Sequence, residues 1–175
     1  PPDKTSFRAT VLQTDQSDYN WKINDFERPE LYKAIIYELL VRDFTEEGTY
    51  QGEIDKLDYI ENLGFNAIHL MPTSEIEGNE SWGYNPNYYF APDKFYGPKN
   101  KLKELVDEAH KRGIAIIGDL VLNHSFYSSP FARFYWNEGT SGSSICAPNP
   151  RPRSDNPWFN ECHNFVDEQA AWWGA

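Results

Sequence analysis

Apolar residues along the chain fall into two alternating patterns. Short runs at residues 34–41, 65–71 and 114–117 carry almost no polar alternation. That is the pattern of strands buried on both faces in a parallel sheet. Between them, residues 53–63 and 99–112 repeat apolar side chains at helical spacing. Ile54, Leu57, Ile60 and Leu63 form the stripe in the first, and Leu102, Leu105, Val106 and Ala109 in the second. Gly64 and Gly113 close these helices, and Lys111 and Arg112 sit where the helix dipole favours positive charge. The order strand, helix, strand, helix, strand predicts an α/β fold with right-handed crossovers and a parallel sheet. In the first run, AIIYELLVRDF at residues 34–44, a helix competes, because Leu, Glu and Ala favour helices. Read as a strand, it holds one polar group, Glu38, that needs a partner. Gly113 and Gly118 around the third run argue for a strand there.

The remaining segments lack a sustained period. Residues 1–30 read as an extended arm or linker, with residues 10–12 the one candidate strand. Residues 48–52 read as a turn. Residues 73–97 form a long excursion holding SWGYNPNYYF at residues 81–90. A loop of this length is usually functional or disordered, and its aromatic content argues against disorder. From Ser125 to Ala175, Ser, Pro, Asn and aromatic residues dominate, and only residues 131–136 hint at a helix. The chain thus divides into an arm (1–30), three βα units (31–124) and the start of an irregular insertion (125–175).

Composition narrows the ligand class. The 175 residues suit one domain with a sizeable core, and Lys plus Arg (16) against Asp plus Glu (27) leave a net charge of −11. Such a surface disfavours nucleic-acid backbones and anionic membranes but not a neutral ligand. No run approaches the roughly 18 apolar residues of a membrane span. Aromatic residues make up 16% of the chain, many beside Gly, Pro or Asn. Tyr and Trp pair a flat apolar face with a polar edge, the combination that sugars need, although a Tyr-rich core explains any single ring equally. The two cysteines, Cys146 and Cys162, have no CxxC or Cys/His spacing, which argues against zinc. A disulfide between them would imply an oxidising, extracytoplasmic compartment. The start, Pro1-Pro2-Asp3-Lys4, is neither an initiator methionine nor a signal peptide, and reads as a processed chain or an excerpt.

The chemistry-bearing residues gather where the third run gives out. Asp119, Asn123 and His124 follow it in GIAIIGDLVLNH, and polar residues at the carboxyl ends of buried strands face the pocket of α/β folds. The plainer alternative has Asp119 capping the next turn and His124 as a hydrogen-bonded loop residue. His69, inside the second run, reads as a satisfied core histidine, since nothing acidic lies beside it in sequence. Glu75, Glu77 and Glu80 read as solvated charges.

Three stretches together resemble the alpha-amylase family of glycoside hydrolases. DLVLNH at residues 119–124 matches the family's first signature, after the third barrel strand. WGYNP at residues 82–86 follows the second strand, where the family places an aromatic platform for a sugar ring. Arg42-Asp43-Phe44 ends the opening strand, followed by a glycine-bearing turn and a helix. The resemblance covers residues 31–135 and implies a partial (β/α)8 TIM barrel: its first three βα units plus the start of the insertion after the third strand. It implies that Tyr84 stacks on a sugar ring, that His124 hydrogen-bonds the same sugar, and that Asp119 supports the end of the third strand. Asn123 would be a ligand in members that bind calcium, through its amide oxygen. Tyr84 packing beneath the loop and Asn123 capping a turn remain open alternatives.

The resemblance further implies a retaining enzyme acting on α-1,4-glucans such as maltooligosaccharides. Its carboxylate nucleophile and acid belong to the fourth and fifth strands, beyond this sequence. Arg153-Ser154-Asp155 mimics the nucleophile spacing, but Pro150-Arg151-Pro152 before it argues against a central strand. The chain alone is therefore expected to be inactive. With a barrel edge and interior uncovered, it is also expected to be unstable or self-associating unless another chain completes it. A non-catalytic glucan-binding or barrel-like interaction domain is the competing reading. A different barrel enzyme, with no affinity for maltose oligomers, is the third.

Overall fold

A computed structural model describes residues 18–137 and 151–161. In chain order, a 3-10 turn (Leu31–Lys33) is followed by β1 (Ile36–Leu39), α1 (Val41–Phe44), α2 (Tyr50–Asn62), β2 (Ala67–Leu70), β3 (Ser74–Ile76) and β4 (Pro86–Pro92). Then come α3 (Lys99–Lys111), β5 (Ala115–Gly118), α4 (Pro130–Arg133), β6 (Trp136–Asn137) and β7 (Arg151–Pro152). Strands β1, β2 and β5 form a parallel sheet in that order, with Tyr37 opposite Ile68 and Ile68 opposite Ile116. Each crossover contains a helix, as the alternation of short apolar runs and helical stripes predicts.

The two crossover helices cover one face of this sheet. Tyr37, Leu39, Ile68, Leu70 and Ile116 pack with Leu57 and Ile60 of α2 and with Leu105 and Ala109 of α3. Leu57, Ile60 and Leu105 are essentially inaccessible. Each such side chain contributes roughly 1.5–3 kcal/mol on burial. Residues of the other parity, Ile36, Glu38, His69 and Ile117, lie on the opposite face. Ile36 and Ile117 are exposed. The expectation of strands buried on both faces is thus met on one face only. The reason is that no described residue pairs with the outer edge of β1 or β5, and the second face is covered only in part.

Three element boundaries differ from the sequence reading. The first apolar run is a strand only over β1. At Val41 the chain turns into α1, where the amides of Asp43 and Phe44 both donate to the Leu40 carbonyl. That turn buries Val41 completely and sends Arg42 out toward the 73–86 loop, a tertiary preference stronger than the continued apolar pattern. Helix α2 begins at Tyr50, so part of the expected 48–52 turn is its first turn, and the Thr49 hydroxyl caps it by accepting from the Gly52 amide. The excursion after β2 contains an antiparallel hairpin, β3 with β4, whose pairing shifts at both Ser74/Glu75 and Glu75/Ile76. Those irregularities break the period-2 alternation that would have revealed it. The candidate strand at residues 10–12, and Cys146 and Cys162 with their pairing, lie outside the described residues.

Residues 18–30 lie against α3 and carry no helix or strand. Asp107, buried on α3, accepts from the Tyr19 hydroxyl at 2.9 Å and from the amides of Lys22 at 3.0 Å and Ile23 at 3.2 Å. Burial opposes the charge of Asp107, but these three donors win and hold its carboxyl below the usual range. Phe26 stacks flat on His110 at 3.8 Å. Asp107→Ala is expected to free this segment, raising its proteolytic cleavage roughly tenfold while the sheet keeps its amide protection. Unchanged cleavage would show that the remaining contacts, the Phe26–His110 stack and the Lys22–Glu108 ion pair among them, are enough to hold it. Because Asp107 is lowered in the folded state, its contribution is present at neutral pH and lost as pH falls through its folded value.

Candidate functional site

Two segments leave the carboxyl end of the sheet and meet there. Residues 81–86 lead into β4, and residues 119–129 follow β5. The Tyr84 hydroxyl donates to Asp119 Oδ2 at 2.9 Å. The Tyr84 carbonyl lies 2.7 Å from His124 Nε2. A carbonyl can only accept, so Nε2 carries the proton. Nδ1 lies 3.2 Å from the Asn123 side-chain nitrogen, which donates to it. The Tyr89 hydroxyl donates to the His124 carbonyl at 2.7 Å, and the Phe126 amide donates to the Pro86 carbonyl at 2.9 Å. Burial first, and then the bond to Asp119, raise the Tyr84 pKa, so its hydroxyl remains a donor at physiological pH.

The loop carrying Tyr84 is held from beneath as well. Arg42 donates to the carbonyls of Asn79 at 3.0 Å and Ser81 at 2.9 Å while paired with Asp43 at 2.7 Å. The Asp119 amide donates to the Leu70 carbonyl at 3.1 Å, which ties the residue after β5 to the end of β2. Asp119, Tyr84, Asn123 and His124 are therefore brought together as one cluster. Asp119 serves as an acceptor in this arrangement and leaves Tyr84 fixed at its hydroxyl and its backbone.

Asn123 bears on a calcium site. Its amide nitrogen engages His124, leaving one oxygen to offer, whereas calcium takes about six to eight oxygen ligands. Among the described residues no group of three or more His, Cys, Asp or Glu side chains is placed to hold a metal ion. These residues do not by themselves form a calcium site.

Other candidates fall elsewhere. Arg153 and Asp155 form an exposed ion pair at 2.7 Å, beside the short β6–β7 pair rather than a central strand. Glu75 is not a solvated charge: it receives the Lys94 ammonium and backbone amide, and its side chain is largely covered. A groove of about 480 Å³ lies beside Gly83 and is lined by Tyr89, Phe90, Leu122, Phe131 and Trp158. Tyr84, Asp119 and His124 do not line it.

His69 departs from its reading as a core histidine. It sits opposite Glu38 in the β1–β2 register, with Nδ1 3.4 Å from Glu38 Oε1 and Nε2 3.8 Å from Asp119 Oδ2. The acidic partners absent in sequence are present in space. The available signal was positional: Glu38 and His69 are each the single polar residue, one place before the end, in IYEL and AIHL.

A parallel β/α sheet with polar side chains converging at the strands' carboxyl ends defines an α/β protein, with its candidate ligand site at that end. The family model for the alpha amylase catalytic domain matches residues 6–169. The chain belongs to the alpha-amylase catalytic-domain family. It is 40% identical over 107 residues to malto-oligosyltrehalose trehalohydrolase of Saccharolobus solfataricus, covering 61% of this chain and 19% of that protein. It is 34% identical over 149 residues to chloroplastic isoamylase 1 of Arabidopsis thaliana, covering 67% of this chain and 19% of that protein. A crystal structure of a Salmonella typhimurium protein assigned as an alpha amylase superposes with a TM-score of 0.63 at 28% identity, covering 78% of this chain and 24% of that one. The chain thus spans about a fifth to a quarter of the length of these three proteins.

Proposed function

We propose that β1, β2 and β5 are the first three strands of an eight-stranded barrel whose complete protein acts on α-glucans by the retaining mechanism. In this reading the chain supplies a sugar subsite and not the catalytic carboxylates. The observation that carries it is the double anchoring of Tyr84, by Asp119 at the hydroxyl and by His124 at the carbonyl. A ring so fixed presents its apolar face to a pyranose without losing rotamer freedom on binding. Both nitrogens of His124 are engaged here, so a sugar hydroxyl would take the place of either the Asn123 amide or the Tyr84 carbonyl. Relatives named for malto-oligosyltrehalose and isoamylase activities support an α-glucan as the substrate class.

Maltooligosaccharide binding to the complete protein tests this. Tyr84→Ala is expected to weaken affinity at least tenfold, the order of one base- or sugar-sized stacking contact plus its polar edge. Binding unaffected by both Tyr84→Ala and His124→Ala would sink the subsite. Binding without turnover in the complete protein would favour a non-catalytic glucan-binding domain.

The uncovered sheet makes a second expectation. Ile36 and Ile117 are exposed on the second face, while Leu31 and Tyr32 before β1 and Leu120 and Leu122 after β5 are also exposed. A polypeptide restricted to these 175 residues is expected to self-associate or melt without a sharp transition. A soluble monomer with one cooperative melt, by ultracentrifugation and calorimetry, would count against the barrel reading.

A further inference from the structure

We propose that His69 is a positioning residue for Tyr84, acting as an ionic bridge between Glu38 and Asp119 that steadies the carboxylate to which Tyr84 is bound. The inference deepens the proposed sugar subsite and rests on that reading for its functional consequence. Three strands contribute. Glu38 is on β1, His69 is its partner on β2, and Asp119 directly follows β5. His69 Nε2 and the Tyr84 hydroxyl face the same oxygen, Asp119 Oδ2, at 3.8 and 2.9 Å. The Asp119 amide is also tied to Leu70, the residue after His69, so both its backbone and its side chain refer to this point of β2.

The contacts of His69 are ion-pair distances rather than hydrogen bonds, and their chemistry depends on its proton count. A neutral imidazole carries one N–H and can serve one carboxylate, leaving a lone pair facing the other. The imidazolium presents a donor to each. The bridge therefore closes when His69 is protonated and slackens when it is not. The groups facing His69 are Glu38 from β1, Asp119 after β5 and, through Asp119, the Tyr84 hydroxyl from the loop. Arg42, three residues past the carboxyl end of β1, is engaged with Asp43 and the carbonyls of Asn79 and Ser81. Glu38 adds to the field that keeps the Tyr84 hydroxyl protonated, after burial and Asp119. His69 also stays partly open, with its side chain 29% exposed, so its replacement removes a charge without opening a core cavity.

The test is maltooligosaccharide affinity of the complete protein as a function of pH, between about pH 5.5 and 8. The same samples are read by NMR at the Tyr84 ring carbon that bears the hydroxyl. Wild type is expected to bind about threefold to fivefold tighter at the acid end, the effect of one partly exposed ion pair. His69→Gln keeps the length of the side chain but cannot gain a charge, and its affinity is expected to be weaker and flat with pH. His124 is intact in that variant, so a pH dependence that survives in it would belong to His124 and overturn the proposal. A flat wild-type profile would overturn it too. If wild type binds no glucan at all, the subsite reading fails and the NMR titration alone decides the bridge. A Tyr84 shift that follows the His69 imidazole signal and vanishes in His69→Gln supports it, and no such shift refutes it.

Discussion

Glu53→Gln is expected to stabilise the folded protein by about 3 kcal/mol at pH 7, with little effect near pH 4. Glu53 sits in the first turn of α2, is 2% exposed, and neither of its carboxylate oxygens has a partner among the described residues. Burial pushes its pKa from 4.5 up to about 8. The helix N-terminus favours the anion, but by no more than about 1 kcal/mol, so burial wins. Below the unfolded value the carboxyl is protonated in both states. Between about 4.5 and 8 the unfolded chain releases the proton while the folded chain keeps it. Stability therefore falls as pH rises through that window and levels off above it. Glutamine removes this dependence while keeping the shape and neutrality of the protonated side chain. Denaturant melts of wild type and variant should converge at acid pH and diverge toward pH 8. Parallel curves would mean that Glu53 finds a partner in solution.

The second large effect concerns Gly83, immediately before Tyr84. Its φ is +96°, and a Cβ built there would lie 2.6 Å from the Pro72 carbonyl oxygen and 2.9 Å from the Pro72 Cβ. Neither neighbour is the flexible end of a side chain, so the loop itself must move. Gly83→Ala is expected to cost about 1–3 kcal/mol of stability and, because Tyr84 moves with the loop, at least tenfold in maltooligosaccharide affinity. Gly64→Ala is the matched control. Its φ is +88°, but no atom lies within 4 Å of the added carbon. It should show the conformational cost without loss of sugar binding. Equal affinity losses in the two variants would show that the Pro72 contact does not position Tyr84.

The parallel sheet was legible because its strands are short apolar runs separated by full helical stripes, and both signals are local. The hairpin β3–β4 was not, since three residues of β3 and the shifted register leave no alternation to read. Tyr84, Asp119, Asn123 and His124 could be named from their motifs, yet their mutual bonds depend on how two loops return across the strand ends. His69 was misread for the same reason: its acidic partners lie on neighbouring strands, 31 residues back at Glu38 and 50 residues on at Asp119. Glu53 showed only as a helix start, because the fully covered surroundings of that turn are a tertiary property. The exposure of Ile117 is likewise a matter of what covers a sheet rather than of the strand's own composition.

The proposal that the two loops converge on one sugar ring is tested most directly by titrating maltotetraose into the complete protein while following the Tyr84 ring and the His124 imidazole by NMR. Both resonances should move together and fit a single dissociation constant. Saturable binding that leaves both signals in place would contradict a shared subsite at the strand ends.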